Sequence, residues 1–205
     1  MKKIVLHFML SAVIVFLAAA CTTTVVGPSC SSQSVSLPLT GIPQQKPTSW
    51  CWVATAQTIM NVRDPEFGKI SQCELLEKTL TTTSCCNSTD MPPPCWSQLG
   101  RPEQVFNKNW VIQQTTYKFD YKNKPSLMWR TATEEICQGR AFISAINIPG
   151  GAHDVVVTGY DAQVTSPDNR LRIYDPIDDD FFDVTSDWFF DRQRHIRDIY
   201  QIKTK

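Results

Sequence analysis

The sequence predicts an α+β fold, with helices in the first half of the domain and an antiparallel sheet in the second. Two observations carry this. From about Ser49 to Gln138 the signals are mostly helical, with apolar runs bounded by caps and prolines. From Ala141 onward the spacing changes to that of strands. Helices first and strands second is a segregated arrangement rather than a doubly wound one. A third observation sets the scale. With 205 residues, 42% hydrophobic and 20% charged, the chain suits one globular domain with its own core.

The elements follow in order. Cys51 to Arg63 (CWVATAQTIMNVR) carries Trp52, Val53, Ile59, Met60 and Val62 on a helix that stops before Asp64-Pro65. Ser71 with Glu74 three residues later makes a capping box ahead of Leu75, Leu76 and Leu80. Pro102 opens a short helix, and Ser126 to Gln138 reads as a fourth. The strands are Ala141–Ile148, then, after a Pro149-Gly150-Gly151 turn, His153–Tyr160, Leu171–Tyr174, Phe181–Val184 and Ile199–Ile202. Asp178-Asp179-Asp180 reads as a loop.

Ahead of the domain, Lys2 and Lys3 precede an apolar run from Ile4 to Ala20 that ends in small residues before Cys21. The run is short for a membrane span and follows the pattern of an export signal over residues 1–20. A cysteine directly after the small residues points to a lipoprotein signal with Cys21 acylated; ordinary cleavage after Ala20 is the alternative. Residues 21–40 are rich in Ser and Thr without charge, and read as a flexible tether to a domain spanning 41–205. Lys+Arg and Asp+Glu both number 20, so no overall field favours nucleic acid, and the only membrane contact expected is the N-terminal lipid.

Export changes the meaning of the eight cysteines. In an oxidising compartment Cys30, Cys73, Cys85, Cys86, Cys95 and Cys137 are disulfide candidates rather than metal ligands, and no CxxC spacing argues otherwise. Consecutive Cα atoms lie about 3.8 Å apart, below the usual disulfide range, so Cys85 and Cys86 each need another partner. No cofactor or metal is expected.

Cys51 stands apart from those six. It opens a helix, where free backbone N–H groups and the positive end of the dipole favour thiolate over thiol. Gln45, six residues upstream, can bring its amide beside the sulfur, and with the Cys51 backbone N–H supply two donors to an oxyanion. The plainer alternative is a buried half-cystine. A base must be a histidine, and beyond residue 20 only His153 and His195 remain. His153 begins the strand HDVVVTGY after a glycine turn, whereas His195 in DRQRHIRD reads as an exposed surface histidine. Asp175, at the end of LRIYDP, can orient the imidazole. Asp161 lies too far along the strand of His153, and Asp154 points to its opposite face.

The motifs QQKPTSWCWVA, GAHDVVVTGYD and LRIYDP, in this order, resemble the papain-like cysteine peptidases, most closely a small bacterial branch of avirulence-effector proteases and more distantly bacteriocin-processing peptidases. The resemblance implies a papain-like fold, Cys51 as nucleophile, His153 as general base and acid, Asp175 as orienter, and Gln45 rather than Gln44 as oxyanion donor. It implies a polypeptide substrate and a thioester acyl-enzyme. The Cys73–Cys95 segment resembles a cysteine-rich insertion of this branch, while no inhibitory prodomain is recognisable. Other readings are a cell-wall amidase, an acyltransferase using the same thioester, and a catalytically silent binding module.

Overall fold

In the computed structural model, the described residues are 33–39, 49–82, 85, 86, 95, 99–162 and 169–205. Residues 1–20, read as an export signal, and Cys21, Cys30 and Gln45 lie outside them.

The chain enters as a short strand, β1 (Ser34–Ser36), and then forms α1 (Cys51–Arg63). Every residue of α1 from Cys51 to Asn61 is buried, as expected of a helix covered on all sides. Its threonines bond within the helix, Thr55 Oγ1 donating to Cys51 O at 2.8 Å and Thr58 Oγ1 to Ala54 O at 2.9 Å, while Gln57 Nε2 donates to Phe67 O and Ile70 O beyond it. A 3₁₀ turn (Pro65–Lys69) leads to α2 (Gln72–Leu80), which opens with the Ser71/Glu74 capping box. Next comes α3 (Pro102–Phe106). A small hairpin, β2 (Trp110–Ile112) with β3 (Thr115–Tyr117), precedes β4 (Phe119–Lys124) and α4 (Trp129–Cys137). The remainder is β5 (Phe142–Ile148), β6 (Gly151–Asp161), β7 (Arg170–Asp175), β8 (Asp180–Thr185), α5 (Ser186–Phe189) and β9 (His195–Thr204).

These strands make an antiparallel seven-stranded sheet in the order β4-β9-β5-β6-β7-β8, with β1 joining at β6. Helices and a mostly antiparallel sheet give the α+β, papain-like arrangement. One core joins α1, α2 and α3 to Val156, Tyr174 and Ile199 of the sheet. A second joins Ala132 and Ile136 of α4 to Val155, Val157, Leu171 and Ile173. Because β6 is buried on both faces, its centre, Val155-Val156-Val157, is apolar at consecutive positions where a one-sided strand would alternate.

Three expectations change. The segment 21–40, read as tether, ends in the sheet: Val35 pairs with Tyr160, and Leu37 N donates to Thr158 O at 2.8 Å. Val35 and Leu37 pack on the second core, so the short alternation S-V-S-L is a strand signal. Gly159 makes room for it, since a Cβ there would lie 2.7 Å from Val35 O. The mostly helical first half also contains β2, β3 and β4, and β4 is held by β9 from the far end of the chain. Finally, the helix expected from Ser126 starts at Trp129, after Leu127 is buried in the second core.

Candidate active site

The first residue of α1 is Cys51, and it is the one free cysteine among the described residues. It keeps 8% of its surface exposed. The cysteine-rich segment fastens this end of the helix. Trp50 Nε1 donates to Cys95 O at 2.7 Å, and Cys95 is disulfide-bonded to Cys85. A second disulfide joins Cys73 of α2 to Cys86, so the adjacent pair 85 and 86 bonds outward in both cases. Cys137 is also disulfide-bonded.

His153 stands in β6 opposite Ile146 of β5, two residues after the Gly150-Gly151 turn. Its Nε2 lies 2.8 Å from Asp175 Oδ1, at the end of β7, and the ring also hydrogen-bonds the Cys51 side chain. With Nε2 engaged by the carboxylate, Nδ1 is the atom left for sulfur. Asp175 is itself fixed, because the same Oδ1 accepts from Ile177 N at 2.9 Å in the turn that ends the strand. The structure thus brings Cys51, His153 and Asp175 into one hydrogen-bonded row.

Electrostatics favour an imidazolium in this row. Burial alone disfavours the charged ring, but the hydrogen bonds to Asp175 and Cys51, with their negative charges, outweigh it and raise His153 to about 10. Burial likewise works against the Asp175 carboxylate, and His153 together with the turn's backbone N–H groups holds it below its ordinary range. A folded-state value above the ordinary 6.5 means that the stability contributed by His153 is complete below about 6.5. It is lost as pH rises toward about 10.

Behind the row lies a buried ionic group that the sequence did not disclose. Arg197 Nη2 donates to Asp154 Oδ1 at 3.1 Å, and its Nε lies 3.6 Å from Glu103 Oε1, which accepts from Asn123 Nδ2 at 2.6 Å. Burial pushes Asp154 up to about 6, against the pull of Arg197 and with a further push from Glu103. A charged residue inside the buried run HDVVV was the available clue, since such a group needs a partner.

The expectation of an exposed His195 is wrong. Its side chain is 1% exposed, with Nδ1 3.0 Å from Phe189 O and Nε2 2.9 Å from Asp198 Oδ2. Asp198 Oδ2 also accepts from Leu127 N at 2.6 Å, so the pair clasps β9 to α5 and to the lead-in of α4. Charge-rich neighbours suggested a surface position; the rings of Phe189 and Phe190 cover it instead. His195→Ala leaves the buried Asp198 without its partner and is expected to cost about 2–4 kcal/mol of stability. Urea unfolding checks this, and thiol reactivity of the still-folded variant is expected to match wild type.

A cysteine, a histidine and a carboxylate in one hydrogen-bonded row can generate a sulfur nucleophile and carry its proton. The sequence model described as "Peptidase_C39 like family" matches residues 36–193. No curated protein sequence matches the chain.

Proposed function

The chain belongs to the Peptidase_C39-like family, of papain-like cysteine peptidases, and from that membership we propose that it hydrolyses peptide bonds through Cys51, His153 and Asp175. The observation that carries the proposal is the position of His153, bonded at once to the Cys51 side chain and to Asp175.

The chemistry follows from those contacts. Cys51 Sγ attacks the substrate carbonyl carbon, forming a C–S bond and an oxyanion. The Cys51 backbone N–H and the Gln45 amide meet that oxyanion; for Gln45 this rests on its place six residues before the cysteine. Collapse breaks the C–N bond, and the leaving amine takes the proton of the imidazolium. Neutral His153 then removes a proton from water as its oxygen adds to the thioester carbonyl. Loss of the thiolate releases the acid and restores the starting pair. Asp175 keeps the ring in the tautomer and orientation both halves need.

Asp175 orients and does not transfer. Asp175→Ala is therefore expected to lower kcat by roughly 10–10⁴-fold, leaving a measurable residue. Incubating purified protein with unfolded casein and following new N-termini by mass spectrometry tests the function itself. The expected result is cleavage by wild type, weak cleavage by Asp175→Ala, and a thioester trapped at Cys51 on acid quenching. Release of new free amino groups from peptidoglycan without cleavage of casein would instead favour a cell-wall amidase.

Residues 1–20 act in this account as an export signal, with Cys21 carrying lipid. Support comes from the apolar run ending in small residues before Cys21 and from disulfides at Cys73–Cys86 and Cys85–Cys95, which fit an oxidising compartment. Among the described residues no helix is long and apolar enough to cross a membrane. Detergent-phase partitioning is expected for wild type and lost in Cys21→Ser; partitioning unchanged by the substitution contradicts the anchor.

A further inference from the structure

We propose that Trp50 is a positioning residue for Cys51, and that turnover requires the Cys85–Cys95 disulfide because it fixes the carbonyl that holds the Trp50 indole. This rests on the peptidase reading above and adds a condition under which its site works.

Trp50 directly precedes the nucleophile and caps α1. Its carbonyl is committed to the helix, accepting from Val53 N and Ala54 N at 2.9 Å each. Its indole is 1% exposed and offers a single donor, Nε1, which bonds Cys95 O at 2.7 Å. Because the peptide bond is planar, few soft dihedrals separate consecutive residues, so a Trp50 fixed at both ends fixes where Cys51 begins. Trp52, on the other side of Cys51, is held as closely: a Cβ on Gly100 would lie 2.5 Å from its Cε2. Cys51 is thus flanked by two indoles anchored in the first core.

Cys95 is anchored in turn by its side chain. It is bonded to Cys85, ten residues earlier, and both are 3% exposed in the same core. The neighbouring disulfide differs in kind, since Cys86 is exposed, Cys73 is half-buried, and their bond ties the segment to α2 from the surface. The sulfur of Cys51 must meet the His153 ring and a substrate carbonyl together, and a misplacement of about 1 Å at such a site costs roughly 10²-fold in rate. Opening Cys85–Cys95 frees the carbonyl that sets this placement. A dithiol does so by giving the bond two electrons and two protons, leaving two thiols and closing its own disulfide. The site therefore needs one thiol free and one disulfide closed, which confines turnover to an oxidising compartment.

The test uses full-length oxidised protein and dye-labelled casein. Trp50→Phe, which keeps an aromatic ring but loses the N–H, is expected to lower kcat roughly 10–100-fold with KM within about threefold. Trp110→Phe is the control, because it deletes a like bond in the same core, Trp110 Nε1 to Val105 O at 3.0 Å, away from the nucleophile. It is expected to lower the unfolding midpoint and keep kcat. The same contrast is expected between Cys85→Ala/Cys95→Ala and Cys73→Ala/Cys86→Ala; where the first pair does not fold, the tryptophan comparison decides. Wild type titrated with dithiothreitol, quenched with N-ethylmaleimide and mapped is expected to lose turnover as Cys85 and Cys95 become labelled, and not when Cys73 and Cys86 do. Wild-type kcat in Trp50→Phe, an equal loss in Trp110→Phe, or turnover that outlasts reduction of Cys85–Cys95 overturns the proposal. Iodoacetamide alkylation of Cys51 separates this from the catalytic assignment. Fast, His153-dependent alkylation that is unchanged in Trp50→Phe sinks the positioning role alone. Alkylation slowed in Trp50→Phe, with no casein cleaved by wild type, sinks the peptidase reading alone.

Discussion

Cys51→Ala is expected to abolish peptide hydrolysis, by at least about 10⁴-fold, while circular dichroism and the unfolding midpoint stay near wild type. The sulfur is the atom that forms the acyl-enzyme, and nothing else in the row can form it. Truncation removes one atom from a residue at the open end of α1, whose packing is carried by Trp50, Trp52, Val53 and Ile59 rather than by the thiol. Cys51→Ser is expected to be nearly as damaging, because an alcohol is a poorer nucleophile and the ring poised for a thiolate is a weak base for a hydroxyl. Peptide cleavage assayed on both variants checks this. Full activity in either removes Cys51 from the mechanism.

The second large effect is expected at His153. Its ring supplies the positive charge beside the sulfur and the proton that the leaving amine needs, so His153→Ala loses both. Turnover is expected to fall by roughly 10³–10⁶-fold, and alkylation of Cys51 near neutral pH to slow with it. The pH dependence has a defined sign. Because the ring is raised to about 10, turnover by wild type is expected to fall as pH approaches that value and the proton donor is lost. The same ionisation links to stability. The difference in unfolding free energy between wild type and His153→Gln is expected to be largest below about 6.5 and to narrow as pH rises toward about 10. A difference that widens over this interval contradicts the assignment of charge.

Much of this fold is written locally. α1 begins and ends at the residues its sequence suggests, and the Ser71/Glu74 box opens α2 as the pattern requires. The strands from β5 to β9 were legible because burial and turns punctuate them within a few residues. What escaped notice depends on distant partners. β4 has three polar residues at its exposed end, and its pairing with β9 joins segments about eighty residues apart. Ser34–Ser36 is a strand because β6 offers it an edge beside Gly159, which a Ser-rich run does not announce. Site geometry divides in the same way. That Cys51, His153 and Asp175 come together could be argued from element ends, since a helix start and two strand ends project side chains to one rim. The Asp154–Arg197–Glu103 group and the buried His195–Asp198 pair could not. Each joins elements remote in sequence, and only the packing of α3, α5 and β9 decides which charges are covered.

The nucleophile itself can be read in one step. Intact protein is reacted with a peptidyl epoxide that alkylates thiolates, then digested without reduction and mapped by mass spectrometry. The account predicts a single adduct on Cys51 in wild type, formed fast near neutral pH, and strongly slowed by His153→Ala but not by His195→Ala. An adduct elsewhere, no adduct on Cys51, or labelling of Cys51 that ignores His153 while depending on His195 would contradict it.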